Sequence, residues 1–591
     1  MDKKVKTGIR FYRAGDRAIL AVLGDEIRED INDRVGDLYQ ALRAERDPAL
    51  VEAVPSYAAV LVHYRPEMRS YEAMCSYLTD LSGRVGGQRE RAPRTVVIPV
   101  CYGLHFGPDL WEMEEKLAMS REEIIRLHTE RDYRIYMMGF LPGFVYLGGL
   151  DERLFYPRLA KPRMRIEAGA VGIAGQQTGV YPFVSPGGWR IIGNTPLNMY
   201  DPDNPELAGL GPGDRIRFQP ISVDEWYELK RKVARQGNAS GERSHADVSP
   251  AADGAGSPQA KAFGLKVLQP GALTTVQDGG RCGGQAQGMT ESGAMDRRSY
   301  ARANRLLGND PHAAVLELTL VGGAYEVLGD GWIALTGGDL QACLNDAPLP
   351  MDQAAPVKAG DRLRFGMARK GLRAYLALTG GIDVPEVAGS RATNLKVGIG
   401  GLAGRKLRTG DVLWAGETAG SRTALVEVAS TSAGATAALQ DQEVPVLQEL
   451  ERRTDADGVT AIRFLYGPQD DRFPETLKER FTESVYTISE ASDRMGYRLE
   501  GPTLLPEGGT DILSDGICFG SIQVPSDGKP IVLMADHQTT GGYAKIATVI
   551  SPDLPLLAQM GPGAKIRFTP AGEGLPEEQA APAGGVQEDE A

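Results

Sequence analysis

GLGPGDRIRF, residues 209–218, joins a glycine turn to a run in which apolar and basic side chains alternate, and the chain writes this device four times. The other copies are VKAGDRLRFG at 357–366, KLRTGDVLW at 406–414 and MGPGAKIRF at 560–568. In each, Gly followed by Asp or Ala makes a tight turn, and the alternation sends the apolar members to one face. A single copy is a turn and a strand and nothing more. Four copies at domain-like spacing predict related β-rich units, each ended by a closing strand. The 73 Gly and 37 Pro suit the same reading of many short strands and frequent turns.

Working outward, 591 residues exceed what one core organises, so several domains are expected. The first ninety residues read as a small α+β unit. RAILAVLG (17–24) is a buried strand, and Ile27, Ile31, Val35, Leu38 and Leu42 recur at helical spacing. VEAVPSYAAVLVHY (51–64) follows as a strand and PEMRSYEAMCSYLTDL (66–81) as a second helix. A β-barrel is expected over 91–230, entered by RTVVIPVCYG and containing a helix opened by the capping box Ser120-Arg121-Glu122-Glu123. Residues 231–262 carry Gly, Ser, Pro, Ala and charge with hardly a large apolar side chain, so they read as a flexible linker. Two further β units are expected at 263–420 and 421–570. Their boundary is an Ala/Ser/Thr/Gly-rich stretch near 415–442 in which LVEV (425–428) is a candidate strand, and an acidic tail fills 571–591.

Charge narrows the function. The balance of 65 basic to 78 acidic residues contains no basic run, which argues against nucleic-acid binding. No apolar run is long enough to span a bilayer, and the charged N-terminus lacks a signal-peptide core, so a cytoplasmic protein is expected. Cys75, Cys101, Cys282, Cys343 and Cys518 stand singly and read as free thiols. The six histidines are scattered with no zinc-type spacing, so no metal is expected. No phosphate loop of the G-x-x-x-x-G-K-[ST] form, no G-x-S-x-G elbow and no M-K-M biotin-carrier sequence occurs.

Two segments are dense in chemistry. Residues 137–201 interleave Arg158, Lys161, Arg163, Arg165 and Arg190 with Tyr146, Tyr156, Tyr181 and Trp189 among closely spaced Gly and Pro. Glycine admits a ligand to the backbone and arginine offers a planar fork for carboxylate or phosphate; surface turns with solvated arginines remain the plain alternative. Residues 514–551 set Asp536, His537, Gln538 and Thr540 before Gly541-Gly542, with Lys545 beyond. A histidine near a carboxylate can act as general base, and Gln, Thr and N–H groups can polarise an amide oxygen; a structural histidine is the alternative.

These segments carry a resemblance. IPVCYG, GFLPGFVYLGGLD, AGAVGIAGQQTGVYP and SPGGWRIIGNTPL, within 98–218, resemble the family called allophanate hydrolase subunit 1, the B-type subunit of 5-oxoprolinase, or Kip-type kinase inhibitor. GALTTVQDGGR, SGAMDRRSYARANRLLGN, RAYLALTGGID, SDRMGYRLEGP and QTTGGYAKIATVIS, within 263–569, resemble allophanate hydrolase subunit 2, otherwise the C-type subunit of 5-oxoprolinase. The resemblance implies a mainly β protein of tandem cyclophilin-like barrels, one after the α+β unit and two in the second half. It also implies a fused B/C component that opens the 5-oxoproline lactam to glutamate with a separate A-type subunit, using ATP with Mg. The family includes the carboxyltransferase region of urea carboxylase, so a biotin-dependent carboxyltransferase with biotin on a partner protein is an alternative, and inhibition of a sensor histidine kinase is another. Oligomeric state is left open.

The residues matched to family motifs are Arg158, Arg163, Gln176, Thr178, Ser185 and Gly187 in the first half. In the second they are Gln277, Asp278, Arg281, Met295, Asp296, Asn304, Gln523, Asp536, His537, Gln538, Thr540 and Lys545. Of these the resemblance implies His537 or Asp536 as proton acceptor, Lys545 and Arg163 as charge stabilisers, and the rest as substrate contacts. GQQTG at 175–179 departs from the family's Gly-Gly-Gln-Thr form, which weakens a backbone-approach role at Gln176.

Overall fold

The computed structural model describes residues 8–84, 93–159, 161–201, 204, 207, 209–239, 263–416 and 444–572. The expected strand at 425–428 and the acidic tail lie outside the described residues.

The N-terminal unit is a four-stranded antiparallel sheet in the order 10–13, 18–22, 59–64, 50–55, with two helices packed on it. Helix Glu29–Ala44 buries Ile31, Val35, Leu38 and Leu42, the stripe its spacing predicts, each worth about 1.5–3 kcal/mol of burial. The run 51–64 is a hairpin and not one strand. Pro55 ends strand Leu50–Pro55 because it cannot donate to the ladder. Ser56 then turns the chain by bonding Ala59 O through both its N–H and its hydroxyl, at 2.8 and 2.9 Å. Tyr57 at the turn is fully buried, its hydroxyl donating to Leu147 O at 3.1 Å, so the hairpin tip is fixed to the next unit.

That unit is a closed barrel with the strand ring 177–180, 145–148, 132–138, 215–220, 95–102, 190–194 and 170–174. A ring of seven strands cannot alternate direction all the way round, so one neighbouring pair must run parallel. Here it is the first and last strands, Thr95–Tyr102 with Arg215–Pro220. A second closed ring, 459–466, 545–549, 521–523, 531–533, 496–500, 486–488 and 565–570, solves the same parity problem the same way, pairing Val459–Tyr466 parallel with Lys565–Pro570. Two copies of the repeated device are therefore barrel-closing strands. The other two are not. Strand Arg362–Arg364 lies inside a six-stranded sheet and Val412–Trp414 ends it, while a second sheet of five strands covers the same core, built around Leu265, Leu316, Tyr325, Leu335, Leu363 and Leu376. Among the described residues these two sheets close no hydrogen-bonded ring, so this unit differs from the barrel the resemblance implied. What all four copies share is the turn: Gly213, Gly360, Gly410 and Gly563 each have φ between 84° and 93°, a conformation that favours glycine.

Of the linker expected over 231–262, residues 231–239 are helical and the rest lies outside the described residues. Helix Val223–Ala239 runs through its first residues and is opened by a capping box that composition alone conceals: Glu225 N–H donates to Ser222 Oγ at 3.3 Å and Ser222 N–H donates to Glu225 Oε2 at 2.7 Å. The capping box at Ser120 starts helix Arg121–Thr129 as predicted, with Glu123 N–H donating to Ser120 Oγ. All five cysteines are free, and no helix among the described residues is long and apolar enough to cross a membrane.

Candidate functional site

The two Gly-rich segments meet. Each barrel carries a small two-stranded flap, 163–166 with 185–187 on the first and 511–516 with 540–543 on the second. The seam between the two halves of the chain runs along them. Thr540, fully buried, accepts from Phe140 N–H at 2.8 Å and donates to the Tyr146 hydroxyl at 3.3 Å. Arg158 crosses the seam, donating to Gly542 O at 3.1 Å and to Ser514 Oγ at 3.4 Å, with the Tyr543 ring 5.6 Å from its guanidinium carbon. Ser514 in turn donates to Gln177 Oε1 at 3.2 Å. Gln177 and not Gln176 faces the seam; Gln176, which stands where the family pattern has its second Gly, is exposed in the turn beside Gly175, and the Gln177-Thr178 pair is buried.

His537 stands on a turn with its backbone N–H bonded to Met534 O. Its Nδ1 lies 2.7 Å from Gln538 O, and a carbonyl can only accept, so Nδ1 carries the proton and Nε2 presents a lone pair. That Nε2 is buried with no hydrogen-bond partner. Burial lowers the proton affinity of the ring, which is therefore neutral and available as a base. Asp536 does not share this role. Both its oxygens are taken by Arg494, at 3.0 and 3.2 Å, and Arg494 also pairs with Glu317 and donates to Gly293 O at 2.6 Å. All three side chains are buried, and the two carboxylates hold Arg494 in its charged form, raising its affinity for the proton against the pull of burial. The network is an anchor that locks the 534–538 turn onto the 291–296 loop, and Ser292 N–H donating to Ala535 O seconds it.

Several other matched residues also serve the frame. Asp296 caps helix Arg297–Leu306, accepting from Ser299 N–H at 2.8 Å and from Gln559 at 2.7 Å. Asp278 holds the 390–391 turn through Ser390 and Arg391 N–H; Asn304 ties the helix end to Ala313 O; Met295 is in the second barrel's core. Arg281 is buried against Val387 O and Ala392 O, and Gln277 bonds Thr275 and Thr393 O. Gln523 reaches Gln538 at 3.5 Å beneath the glycine pair. Thr178 lies inside the first barrel, in a relay Tyr102–His128–Thr178 with contacts of 2.8 and 2.9 Å, where burial lowers His128 to about 3. Ser185 is buried with an unpartnered hydroxyl, and a side chain at Gly187 would meet the Tyr181 hydroxyl at 2.5 Å. Arg163 is clamped on both oxygens of Asp109 at 2.8 and 2.6 Å. Lys545 is buried in an ion pair with Asp515, whose other oxygen accepts from Gln469 at 2.9 Å. Beside Asp515 opens a cleft of about 300 Å³ against the N-terminal sheet, lined by Arg10, Tyr12, Gln469, Asp471 and Arg472 among others.

The residues that sequence reasoning missed come from the N-terminal unit and the 283–297 loop. His63, on strand Ala59–Tyr64, has a buried and unpartnered Nε2. Glu291 and Arg297, paired at 2.6 Å, lie close enough to both His63 and His537 to shift their proton affinities, and His537 itself acts on His63. A lone histidine on an alternating strand carries no signal of this.

Comparison with known proteins places each half separately. The family described as carboxyltransferase domain, subdomain C and D, matches residues 9–210, and carboxyltransferase domain, subdomain A and B, matches 287–570. The chain is 41% identical over 310 residues to the C-type subunit of 5-oxoprolinase from Escherichia coli (strain K12), covering 51% of this chain and 90% of that protein. It is 37% identical over 228 residues to the B-type subunit of 5-oxoprolinase from Bacillus subtilis (strain 168), covering 37% of this chain and 95% of that protein. A urea amidolyase from Lachancea kluyveri is 35% identical over 326 residues, 52% of this chain but only 17% of that protein. The crystal structure of TTHA0988 superposes with a TM-score of 0.74 at 31% identity, covering 94% of this chain and 99% of that one. The chain thus belongs to the family of B-type and C-type 5-oxoprolinase subunits, with a B-type half and a C-type half joined in one polypeptide.

Proposed function

We propose that this chain, with a separate A-type subunit, opens the lactam of 5-oxoproline to give L-glutamate in an ATP-dependent reaction. The observation that carries the reading is the closure of the B-type half and the C-type half on one another around His537, whose Nε2 lone pair is buried and uncommitted. An amide loses resonance only when its oxygen is polarised and its attacking or leaving group exchanges a proton, and a neutral buried imidazole supplies the second requirement. The cations first matched to a phosphate role do not fit one. Arg158 is spent on Gly542 O and Ser514, Arg163 on Asp109, and Lys545 on Asp515. None of these three is free to hold a phosphate, and no step on this chain is routed through the nucleotide or its Mg.

The test is glutamate formation from 5-oxoproline by the purified chain mixed with the A-type subunit of its own genome, with and without ATP. ATP-dependent turnover that falls at least a hundredfold in His537→Gln supports the reading. Absence of turnover from the folded mixture overturns it. The identity to urea amidolyase favours one second reading, carboxyl transfer with biotin on a partner protein, which would then be tested by capture of a biotinylated partner.

A further inference from the structure

We propose that the cleft between the N-terminal sheet and the second barrel is a binding site for a free α-amino acid, whose ammonium pairs with Asp515 and Asp471 and whose carboxylate pairs with Arg10 and Arg472. The inference stands apart from the lactam reading: His537 does not line this cleft, and no turnover is needed to test it.

Strand pairing builds one wall. Arg10 lies opposite Val22 and Tyr12 opposite Leu20, and Val22 and Leu20 lie opposite Ala59 and Leu61 on the next strand, so these side chains share a face of the sheet. The helices cover the other face, where Ile19, Val60 and Val62 are buried. Near its centre the first face closes on the second barrel. Leu20 clusters there with Cys518, and Leu61 packs so tightly on Gly516 that a Cβ on that glycine would come within 2.6 Å of it. Toward the Arg10 edge the two surfaces part and leave about 300 Å³, with residues of 468–472 and 512–515 as the opposite wall.

Charge selects the occupant. Arg10, Asp25 and Asp471 line the cleft with no hydrogen-bond or ion-pair partner among the described residues. Arg472 donates to Asp511 O at 2.6 Å, a carbonyl that leaves the guanidinium charge uncancelled. Asp515 is the innermost carboxylate, 7% exposed. One of its oxygens pairs with Lys545 and the other accepts from Gln469 at 2.9 Å, whereas a carboxylate oxygen can accept twice. Burial pushes its proton affinity up against the pull of Lys545, so a second cation beside it is favoured. A simple anion would meet the carboxylates of this cleft and a simple amine its guanidiniums, a repulsion that a zwitterion avoids because it sets each charge against its opposite.

The cleft also reaches the seam. Its wall strand, Asp511–Gly516, is one strand of the second flap, where Asp515 pairs with Gly541 and Gly516 with Thr540. Ser514, which lines the cleft, accepts from Arg158 and donates to Gln177, both on the first barrel. An occupant seated on Ser514 and Asp515 therefore stiffens the flap.

The experiment measures binding and not turnover. The full chain is titrated calorimetrically with L-glutamine, L-glutamate, glutarate and butylamine, in wild type and in variants of two exposed lining residues, Arg10→Gln and Asp471→Asn, with melting temperature as a check on folding. Amide hydrogen exchange locates the ligand. The expected result is binding of at least one of the two amino acids, weaker by about tenfold in each variant, with glutarate and butylamine weaker than it by about tenfold or more and exchange slowed over 511–516. Absence of binding by both amino acids overturns the inference. So does glutarate or butylamine matching the amino acid, unchanged affinity in either folded variant, or exchange slowed only outside the cleft walls. Amino-acid binding in this pattern without glutamate formation from 5-oxoproline would sink the lactam reading and leave this one standing; glutamate formation by a chain that fails these titrations would do the reverse.

Discussion

Replacing Arg494 by Met isolates the network that fixes the candidate base. Arg494 supplies both hydrogen bonds to Asp536, at 3.0 and 3.2 Å, in a site where both side chains are under 10% exposed. Glu317 is better insured: without Arg494 it still accepts from Met295 N–H at 2.9 Å and the Tyr375 hydroxyl at 2.8 Å. The loss therefore falls on Asp536, which becomes a buried carboxylate without a partner. Breaking a buried pair from one side costs about 3–5 kcal/mol. In a cooperative unit of this size that lowers the melting temperature by roughly 6–20 °C. Calorimetry on the full chain measures it. The double variant Arg494→Met with Asp536→Leu removes the stranded charge, so it recovers at least about 1 kcal/mol of the single variant's loss. Activity behaves differently: both variants lose the grip of the 291–296 loop on the 534–538 turn, so both lose turnover below their melting temperatures. A single-variant loss under about 1 kcal/mol, or a double variant no more stable than the single, would refute the claim that Arg494 offsets the burial of Asp536.

Other consequences are equally direct. His128 and His63, lowered by burial to about 3 and about 4, bind protons more readily in the unfolded chain, so stability falls as pH drops below about 6.5 toward 4. Each contributes a slope approaching 1.4 kcal/mol per pH unit; urea melts between pH 7 and 5 read it, and a flat profile would contradict the burial of both rings. Gly542→Ala puts a methyl into the space that Arg158 Nη2 occupies, displacing the guanidinium from Gly542 O. A loss of about 1–2 kcal/mol in chemical denaturation is expected, and no loss would show the seam contact to be idle. Ser120→Ala removes the acceptor for Glu123 N–H and costs about 1 kcal/mol by the same measurement.

What the sequence disclosed, and what it withheld, follow the range of the interactions concerned. Helix Glu29–Ala44 was legible because its stripe repeats every three or four residues, and helix Arg121–Thr129 because its cap is local. The repeated glycine turns were legible for the same reason, since Gly213 and Gly563 need nothing beyond their own backbone conformation. Whether the strand after such a turn closes a ring depends on which distant strand it meets: 215–220 and 565–570 pair in parallel with the first strand of their own barrel, whereas 362–364 and 412–414 pair antiparallel within or at the end of an open sheet. The helix through Ala239 was hidden under linker-like composition, although Ser222 and Glu225 announce its start. At the site, motif matching found His537 and Thr540 but could not separate them from Asp278, Asp296 and Asn304, which lie in equally distinctive motifs and hold the frame. Distinctive sequence marks tight geometry, and tight geometry serves scaffolds as often as chemistry.

The seam itself predicts how the two halves depend on their covalent connection. Its contacts combine apolar packing, such as Leu61 on Gly516, with hydrogen bonds at Thr540, Arg158 and Glu52, and with Asp16 accepting from both the N–H and the hydroxyl of Ser551 at 3.0 Å. Separate polypeptides making these contacts must also overcome an association cost of at least about 4 kcal/mol, which a single chain avoids. Cleaving the chain once between 240 and 262 should therefore leave the halves together at micromolar concentration, where about 8 kcal/mol of net association suffices. Dilution to nanomolar concentration, which demands about 12 kcal/mol, should separate them. Size-exclusion chromatography with detection at both concentrations measures this, and turnover should fall in parallel, because the contacts of Thr540 with Phe140 and of Arg158 with Gly542 join opposite sides of the cut. Halves that part at micromolar concentration would mean the seam is too weak to shape a site. Halves that stay joined and active when diluted would mean the single chain contributes nothing to assembling it.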